Sequence, residues 1–184
     1  MSRRYTELTF TDSVKQAQEH YGSRQQGAKM EAMEWAGDRL SDREVDFIAG
    51  RDGFDVASVG DDGWSYVQFR GGPKGFLKVL DDRKLGFADF RGNRQYITTG
   101  NIRSDSRVAL FLMDYANRQR LKIMARAEIF DVTERPDLIE QLEDANYRGR
   151  VEQAVVYHVV AFDWNCPQHI THRWTEEELA ASVQ

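Results

Sequence analysis

Cysteine is nearly absent from this sequence: Cys166 is the only one among 184 residues. No disulfide can therefore form within the chain, and a reducing compartment is expected, so we predict a cytoplasmic protein. Long hydrophobic runs are also missing. The longest unbroken aliphatic or aromatic run covers residues 108–113, whereas a membrane helix needs about 20 apolar residues. The first residues lack the apolar segment of a secretory signal, so we expect neither a membrane span nor secretion.

An overall basic excess is lacking as well, because 30 acidic and 25 basic residues give a formal net charge of -5. Proteins that bind nucleic acids usually present basic faces to the phosphate backbone, so no nucleic-acid partner is expected. Residues 68–94 are the exception, with seven basic and three acidic side chains. An acidic protein with one basic segment favours a small anionic ligand over a polymer.

The distribution of apolar residues predicts helices towards both ends of the chain and strands between them. Helices are predicted at residues 14–21, 41–50 and 92–102, after Pro136 and after Thr175. The helix at 41–50 follows a capping box of Ser41 and Glu44, whereas residues 23–40 indicate a loop or an irregular helix. Strands are predicted at residues 54–59, 64–70, 76–80, 85–90, 107–115, 120–132 and 154–164.

Seven strands joined mainly by hairpins predict a mainly β fold with peripheral helices, built on an antiparallel β-barrel. We interpret residues 1–184 as a single domain, with a helical N-terminal extension (1–50), the barrel (54–164) and a C-terminal tail with a helix (165–184). The run at residues 108–113 is apolar on both faces of its strand. Its outer face therefore needs a covering helix or a partner subunit, and we favour a homodimer.

Two of the predicted strands end in arginine and glycine. Arg70 precedes two glycines, while Arg91 precedes a glycine and a second arginine, Arg94, at the helix predicted from residue 92. Glycine lets a ligand approach the backbone closely, amides at a helix start attract anions, and arginine supplies a fixed positive charge. This combination predicts a site for a phosphate ester attached to a flat ring.

The order of strands and motifs from Glu44 to Trp164 resembles the pyridoxamine 5'-phosphate oxidase superfamily, and most of all its uncharacterised FMN-binding branch. Segments 68–73, 90–96 and 165–170 carry the resemblance. It implies a split β-barrel that binds flavin mononucleotide (FMN) at the interface of a homodimer. It also implies an oxidoreductase that acts on an unidentified small-molecule substrate, with the flavin accepting a hydride and then being reoxidised by oxygen or another acceptor.

The resemblance also implies roles for particular residues. The family's phosphate-binding Ser-Arg-Lys falls on Asn93, Arg94 and Gln95, so a lysine is replaced by Gln95 and its charge is expected from Arg91 or Arg70. The family's first flavin strand falls on residues 67–70, and Asp89 stands where the oxidase often has threonine. The implied cofactor-binding residues are Val67, Gln68, Phe69, Arg70, Asp89, Phe90, Arg91, Asn93, Arg94, Gln95 and, as a cover from the tail, Gln168 and His169.

The C-terminal end departs from the true oxidase, because residues 164–174 do not match the segment that holds the pyridoxal substrate there. Oxidation of pyridoxamine 5'-phosphate is therefore not expected, and no catalytic residue is assigned. Cys166, His169 and His172 have a spacing that zinc ligands could adopt, but it is not a standard pattern and Pro167 fixes the backbone, so no metal is predicted. The alternatives are a flavin-binding carrier or sensor without turnover, and a relative that holds haem or a deazaflavin, with His169 or His172 as the haem ligand.

Overall fold

The computed structural model describes residues 1–164 and 166–182; Asn165, from the motif at 165–170, and residues 183 and 184 lie outside the described ranges. The strands are β1 (Gly53–Val59), β2 (Ser65–Gly71), β3 (Lys78–Asp81), β4 (Lys84–Phe90), β5 (Arg107–Asp114), β6 (Gln119–Asp131) and β7 (Val151–Trp164). The helices are α1 (Arg3–Thr9), α2 (Asp12–His20), α3 (Arg24–Glu31), α4 (Asp42–Ala49), α5 (Ile97–Ser104), α6 (Pro136–Leu142) and α7 (Glu176–Ser182).

The seven strands form one antiparallel sheet in the order β2-β1-β5-β6-β7-β4-β3. Three hairpins predicted from the sequence are confirmed, since β1 pairs with β2, β3 with β4, and β5 with β6. Strands β2 and β3 stand at the two ends of this order, so the barrel is split between them. The predicted mainly β split barrel with peripheral helices is therefore confirmed.

The interior of the barrel is filled by the alternate side chains of its strands. On β5, Val108, Leu110 and Leu112 are buried, whereas Ala109 and Phe111 on the other face are half-buried. Burial of each such aliphatic side chain contributes about 1.5–3 kcal/mol. This alternation fixes which side chains of a strand face the core and which face outwards.

The N-terminal helices are more regular than the sequence indicates. Helix α4 begins at the predicted capping box, where the backbone amide of Ser41 donates to Glu44 Oε2 at 3.0 Å. Segment 23–40, interpreted as a loop or irregular helix, contains the regular helix α3, whereas α1 lies within the helical extension predicted at residues 1–50 without having been delimited. Within the described ranges, no helix is both long and apolar enough to cross a membrane.

The helix predicted at 92–102 is wrong in its start, because α5 begins only at Ile97. Arg94 and Tyr96 have φ angles of 61° and 53°, and this left-handed backbone cannot belong to a right-handed helix. The side-chain oxygen of Asn93 accepts a hydrogen bond from the Gln95 amide at 3.2 Å, which closes a local turn instead. Asn93, Arg94 and Gln95 therefore lie in a loop before the helix and do not open it.

Candidate cofactor site

A polar cleft of about 200 Å³ lies where β2, the end of β4, the loop at residues 91–96 and the start of β7 meet. Its lining residues are Gln68, Arg70, Asp89, Phe90, Gly92, Asn93, Arg94, Tyr96, Thr99, Glu152 and Gln153. Six of the twelve residues that the sequence assigns to cofactor binding are in this list. The structure thus brings together arginines that the sequence places at two separate strand ends.

The alternation of β2 divides its predicted residues between two surfaces. Gln68 and Arg70 point towards the cleft, and Gln68 Oε1 accepts a hydrogen bond from Thr98 Oγ1 of α5 at 2.6 Å. Val67 and Phe69 point the other way and are 61% and 66% exposed. Any contact of Val67 and Phe69 with a ligand in the cleft must therefore come from their backbone.

The inner wall of the cleft is a network of four buried or half-buried side chains. Arg70 Nη1 donates to Asp89 Oδ1 at 3.0 Å, and Gln153 Nε2 donates to Asp89 Oδ2 at 2.8 Å and to Thr99 Oγ1 at 3.0 Å. Asp89 and Gln153 are direct partners in the pairing of β4 with β7. Register between these strands therefore sets the position of the carboxylate that fixes Arg70.

Burial dominates the electrostatics of this inner wall. It raises the pKa of Asp89, while Arg70 and the hydrogen bond from Gln153 oppose that rise. Burial likewise raises the pKa of the Tyr157 phenol, which lies in the core beneath the pair, and Arg70 opposes this rise too. One donor of the guanidinium is unsatisfied, because Arg70 Nε is buried without a hydrogen-bond partner among the described residues.

The outer wall of the cleft is the loop at residues 91–96, which carries two further arginines. Arg91 Nε lies 3.3 Å from Glu152 Oε1, and Tyr96 Oη donates to Glu152 Oε2 at 3.0 Å. Arg94 Nε donates to Tyr96 Oη at 3.3 Å. A Cβ atom at Gly92 would meet no neighbouring atom within 4 Å. The Glu152 carboxylate of β7 therefore holds this loop against the barrel, together with the hydrogen bond that the Arg91 amide donates to the Arg150 carbonyl at 2.8 Å.

Gln168 and His169 are not brought to this cleft within one chain. The cleft is at the Val151 end of β7, whereas the tail leaves the Trp164 end, about 40 Å away along a strand of 14 residues. Two contacts join the tail to the β5–β6 hairpin. Arg120 donates to the carbonyl of Cys166 at 3.4 Å, and His172 Nδ1 lies 3.1 Å from the carbonyl of Ala116.

Cys166, His169 and His172, whose spacing was considered for zinc, also lie in the tail. The His172 ring stacks on Trp174, with centroids 5.0 Å apart. Across the described ranges, no group of three or more His, Cys, Asp and Glu side chains is arranged to hold a metal ion.

Sequence reasoning missed the part of the site that comes from α5 and β7. Thr98 and Thr99 bind the side chains of Gln68 and Gln153, and Glu152 binds the loop. One signal was available, since Glu152 and Gln153 are adjacent polar residues at the start of a strand that is mainly apolar. Polar residues at such a point favour a site at the strand end, but the sequence alone does not say which strand lies beside them.

Comparison with known proteins gives consistent results. The sequence profile described as pyridoxamine 5'-phosphate oxidase matches residues 40–160, more than half of the chain. Among solved structures, HupZ of Group A Streptococcus aligns with a TM-score of 0.56 and 14% identity, over 73% of this chain and 99% of HupZ. A candidate pyridoxamine 5'-phosphate oxidase of Lactobacillus delbrueckii aligns with a TM-score of 0.51 and 21% identity, over 68% of this chain and 94% of that one. At these identities the structural likeness shows the fold alone. A search of curated protein sequences found no significant match.

Proposed function

This chain belongs to the pyridoxamine 5'-phosphate oxidase family, and we propose that it is an FMN-binding oxidoreductase that acts on a small-molecule substrate. The observation that carries the proposal is that Arg70 and Arg94 line one cleft and Arg91 contacts its lining residue Glu152, while Arg70 Nε is buried without a hydrogen-bond partner among the described residues. A buried donor without an acceptor is costly unless a ligand satisfies it. An anionic or carbonyl-bearing cofactor would supply the missing acceptor.

The phosphate end of FMN is proposed to bind the outer wall of the cleft. Arg91 and Arg94 lie on the same exposed loop, and guanidinium groups bind phosphate oxygens through charge-assisted hydrogen bonds. Asn93 and Gln95, which replace the family's serine and lysine, are in the same loop. Because this loop precedes α5, its side chains and turn amides would hold the phosphate in place of helix amides.

The ring end of FMN is proposed to lie along β2. As an end strand of the sheet, β2 is paired on one side only, with β1, and the backbone of residues 67–70 therefore has free donors and acceptors. These groups could bind the polar edge of the isoalloxazine, which would supply the electron-transfer chemistry. Arg70 would place a fixed positive charge beside that edge, and Asp89 would hold the guanidinium in position.

A homodimer is proposed to complete the site. The cleft of about 200 Å³ is smaller than the roughly 300–1,000 Å³ of typical cofactor pockets, so one chain does not enclose FMN. Beside it, the outer face of β1, β2 and β5 exposes Val59, Val67 and Phe69 around the half-buried Phe111. These apolar side chains share one face of the sheet, with Asp55 between Phe69 and Phe111, and exposed apolar side chains grouped in this way favour an interaction site. A second copy would cover it and would bring another tail, with Gln168 and His169, towards the flavin.

The first test of this proposal is the visible absorption spectrum of the purified protein before and after incubation with FMN. A bound flavin spectrum, together with quenched FMN fluorescence that saturates at one cofactor per chain, is expected. A haem spectrum or binding of a deazaflavin alone would refute the choice of cofactor.

Turnover needs a separate test, because flavin binding does not distinguish an enzyme from a carrier or sensor. The FMN-loaded protein would be mixed anaerobically with amines, reduced pyridine nucleotides and reduced quinones, and flavin bleaching recorded. Reduction by one class, followed by reoxidation in air, is expected of an oxidoreductase. A flavin that no class of donor reduces would refute the oxidoreductase and leave the carrier.

A further inference from the structure

Glu152 contacts side chains of the loop that is proposed to bind the phosphate. Its two oxygens contact Arg91 Nε at 3.3 Å and Tyr96 Oη at 3.0 Å, and Tyr96 Oη in turn accepts from Arg94 Nε at 3.3 Å. One carboxylate thus gathers, directly or through the tyrosine, both arginines of the loop. These are the donors that the phosphate of FMN would need.

The charges around the cleft also show that Glu152 would compete with a phosphate for the arginines. Arg70 is paired with Asp89, while Arg91 and Arg94 share Glu152, which leaves one net positive charge on the five groups. A phosphate monoester carries close to two negative charges at neutral pH. The carboxylate of Glu152 also adds to the burial-driven rise in the pKa of Asp89, so its negative field extends to the inner wall.

We propose that Glu152 is an internal competitor for the cofactor's phosphate. In the ligand-free chain it holds the loop at residues 91–96. When the cofactor binds, Arg91 and Tyr96 exchange their contacts with Glu152 for contacts with the phosphate monoester. This inference rests on the proposed FMN site and specifies how that site is regulated. Glu152 is then a specificity-determining residue, because it lowers the affinity for phosphate-bearing flavin and leaves riboflavin, which has no phosphate, unaffected.

The isosteric variant Glu152→Gln distinguishes the effect of the negative charge of Glu152 from its role in holding the loop. Its amide oxygen can still accept the hydrogen bond from Tyr96, so the loop keeps one of its anchors, but the negative charge is gone. We expect FMN to bind about tenfold more tightly, equivalent to about 1.4 kcal/mol, and riboflavin affinity to stay within about twofold. A residue that merely supported the loop would change both affinities together.

The matched control is Glu128→Gln, which removes the same charge from the neighbouring strand β6. Glu128 is exposed, pairs with His158 at 3.0 Å and does not line the cleft. Fluorescence titrations of the wild type and both variants with FMN and riboflavin decide the matter. FMN affinity that rises only in Glu152→Gln is expected. Unchanged or weaker FMN binding in that variant, or an equal gain in Glu128→Gln, would overturn the proposal.

A failure of the FMN site itself is distinguishable from a failure of this inference. If the wild type binds neither flavin, the proposed cofactor is wrong, and inorganic phosphate becomes the probe. Phosphate-31 line broadening would then be compared between the wild type and Glu152→Gln. Tighter phosphate binding in the variant supports competition by Glu152, and equal or weaker binding overturns it.

Discussion

Replacing Arg70 with methionine is the most direct test of the inner wall of the cleft. The side chains of Arg70 and Asp89 are only 18% and 11% exposed, and their charged groups are 3.0 Å apart. Methionine preserves most of the aliphatic stem and removes the charge. The carboxylate of Asp89 would then be left in a buried position with Gln153 as its remaining side-chain donor.

The expected cost follows from the burial of this pair. Removing one partner of a buried ion pair costs about 3–5 kcal/mol, and the partial exposure of Arg70 lowers our expectation to about 2–3 kcal/mol. For a chain of this size such a loss lowers the melting temperature by roughly 4–12 °C. The double variant Arg70→Met/Asp89→Asn should recover at least half of the loss, because no unpaired charge remains buried.

The loss should also depend on pH, with a defined sign. Burial raises the pKa of Asp89 in the folded state, so the folded protein binds this proton more readily and loses stability as the pH rises through the interval above the ordinary aspartate pKa. Because Arg70 opposes the rise in the pKa of Asp89, its removal raises that pKa further and extends this pH interval to higher pH. The deficit of Arg70→Met should therefore be largest at neutral pH and should shrink as the pH falls and Asp89 is protonated.

Urea unfolding of wild type, single and double variants at neutral and mildly acidic pH measures these quantities. Arg107→Met is the control, since Arg107 forms an exposed pair with Asp105 and should leave the unfolding midpoint close to that of the wild type. A deficit for Arg70→Met below about 0.5 kcal/mol, the usual range of surface substitutions, would refute the reasoning. So would a deficit of equal size at both pH values.

Three further predictions concern the cofactor and the dimer. Arg94→Ala should weaken FMN binding roughly tenfold in a fluorescence titration, with Arg118→Ala on the β5–β6 turn as control; an FMN affinity of Arg94→Ala equal to that of the control would remove Arg94 from the phosphate site. Phe69→Arg should convert the proposed dimer to monomers in sedimentation velocity because it places a charge on the exposed apolar face, whereas Tyr21→Arg, at the exposed residue that follows α2, should not; a dimer that persists in Phe69→Arg would locate the interface elsewhere. Truncation after Trp164 removes the tail and should speed release of FMN with little change in melting temperature; unchanged release would show that the tail does not cover the flavin.

The sequence was most informative where structure is local. The hairpins β1–β2 and β5–β6 follow from alternating side chains and short polar turns, and both are confirmed. The predicted start of α5 was wrong because the sequence does not reveal that Arg94 and Tyr96 adopt a left-handed backbone conformation. In glycine such a conformation is readily anticipated, but in arginine and tyrosine it depends on contacts made by the folded loop.

Only the part of the site that comes from β2 and β4 could be predicted from the sequence, because the remainder depends on contacts between distant segments. Arg70 and Asp89 belong to neighbouring motifs in the sequence, so their convergence could be inferred from the strand ends and the family resemblance. Glu152 and Gln153 lie about 60 residues further on and reach the cleft only through the pairing of β7 with β4. Such a pairing depends on the register between distant strands, which a single sequence does not specify.

The two walls of the cleft are suited to different tasks because they differ in burial. Arg70, Asp89 and Gln153 form a buried network whose members cannot change partners without leaving a polar group unsatisfied, so this wall is expected to keep its geometry when a ligand binds. Arg91 and Arg94 lie in an exposed loop, where exchanging one anion for another costs little. A fixed cation beside the ring and exchangeable cations at the phosphate would let a small barrel bind FMN tightly enough to orient it and still release it. If Glu152 sets that balance, removing its charge should slow the dissociation of FMN more than it speeds association, which stopped-flow fluorescence can resolve; a change confined to the association rate would indicate long-range attraction instead.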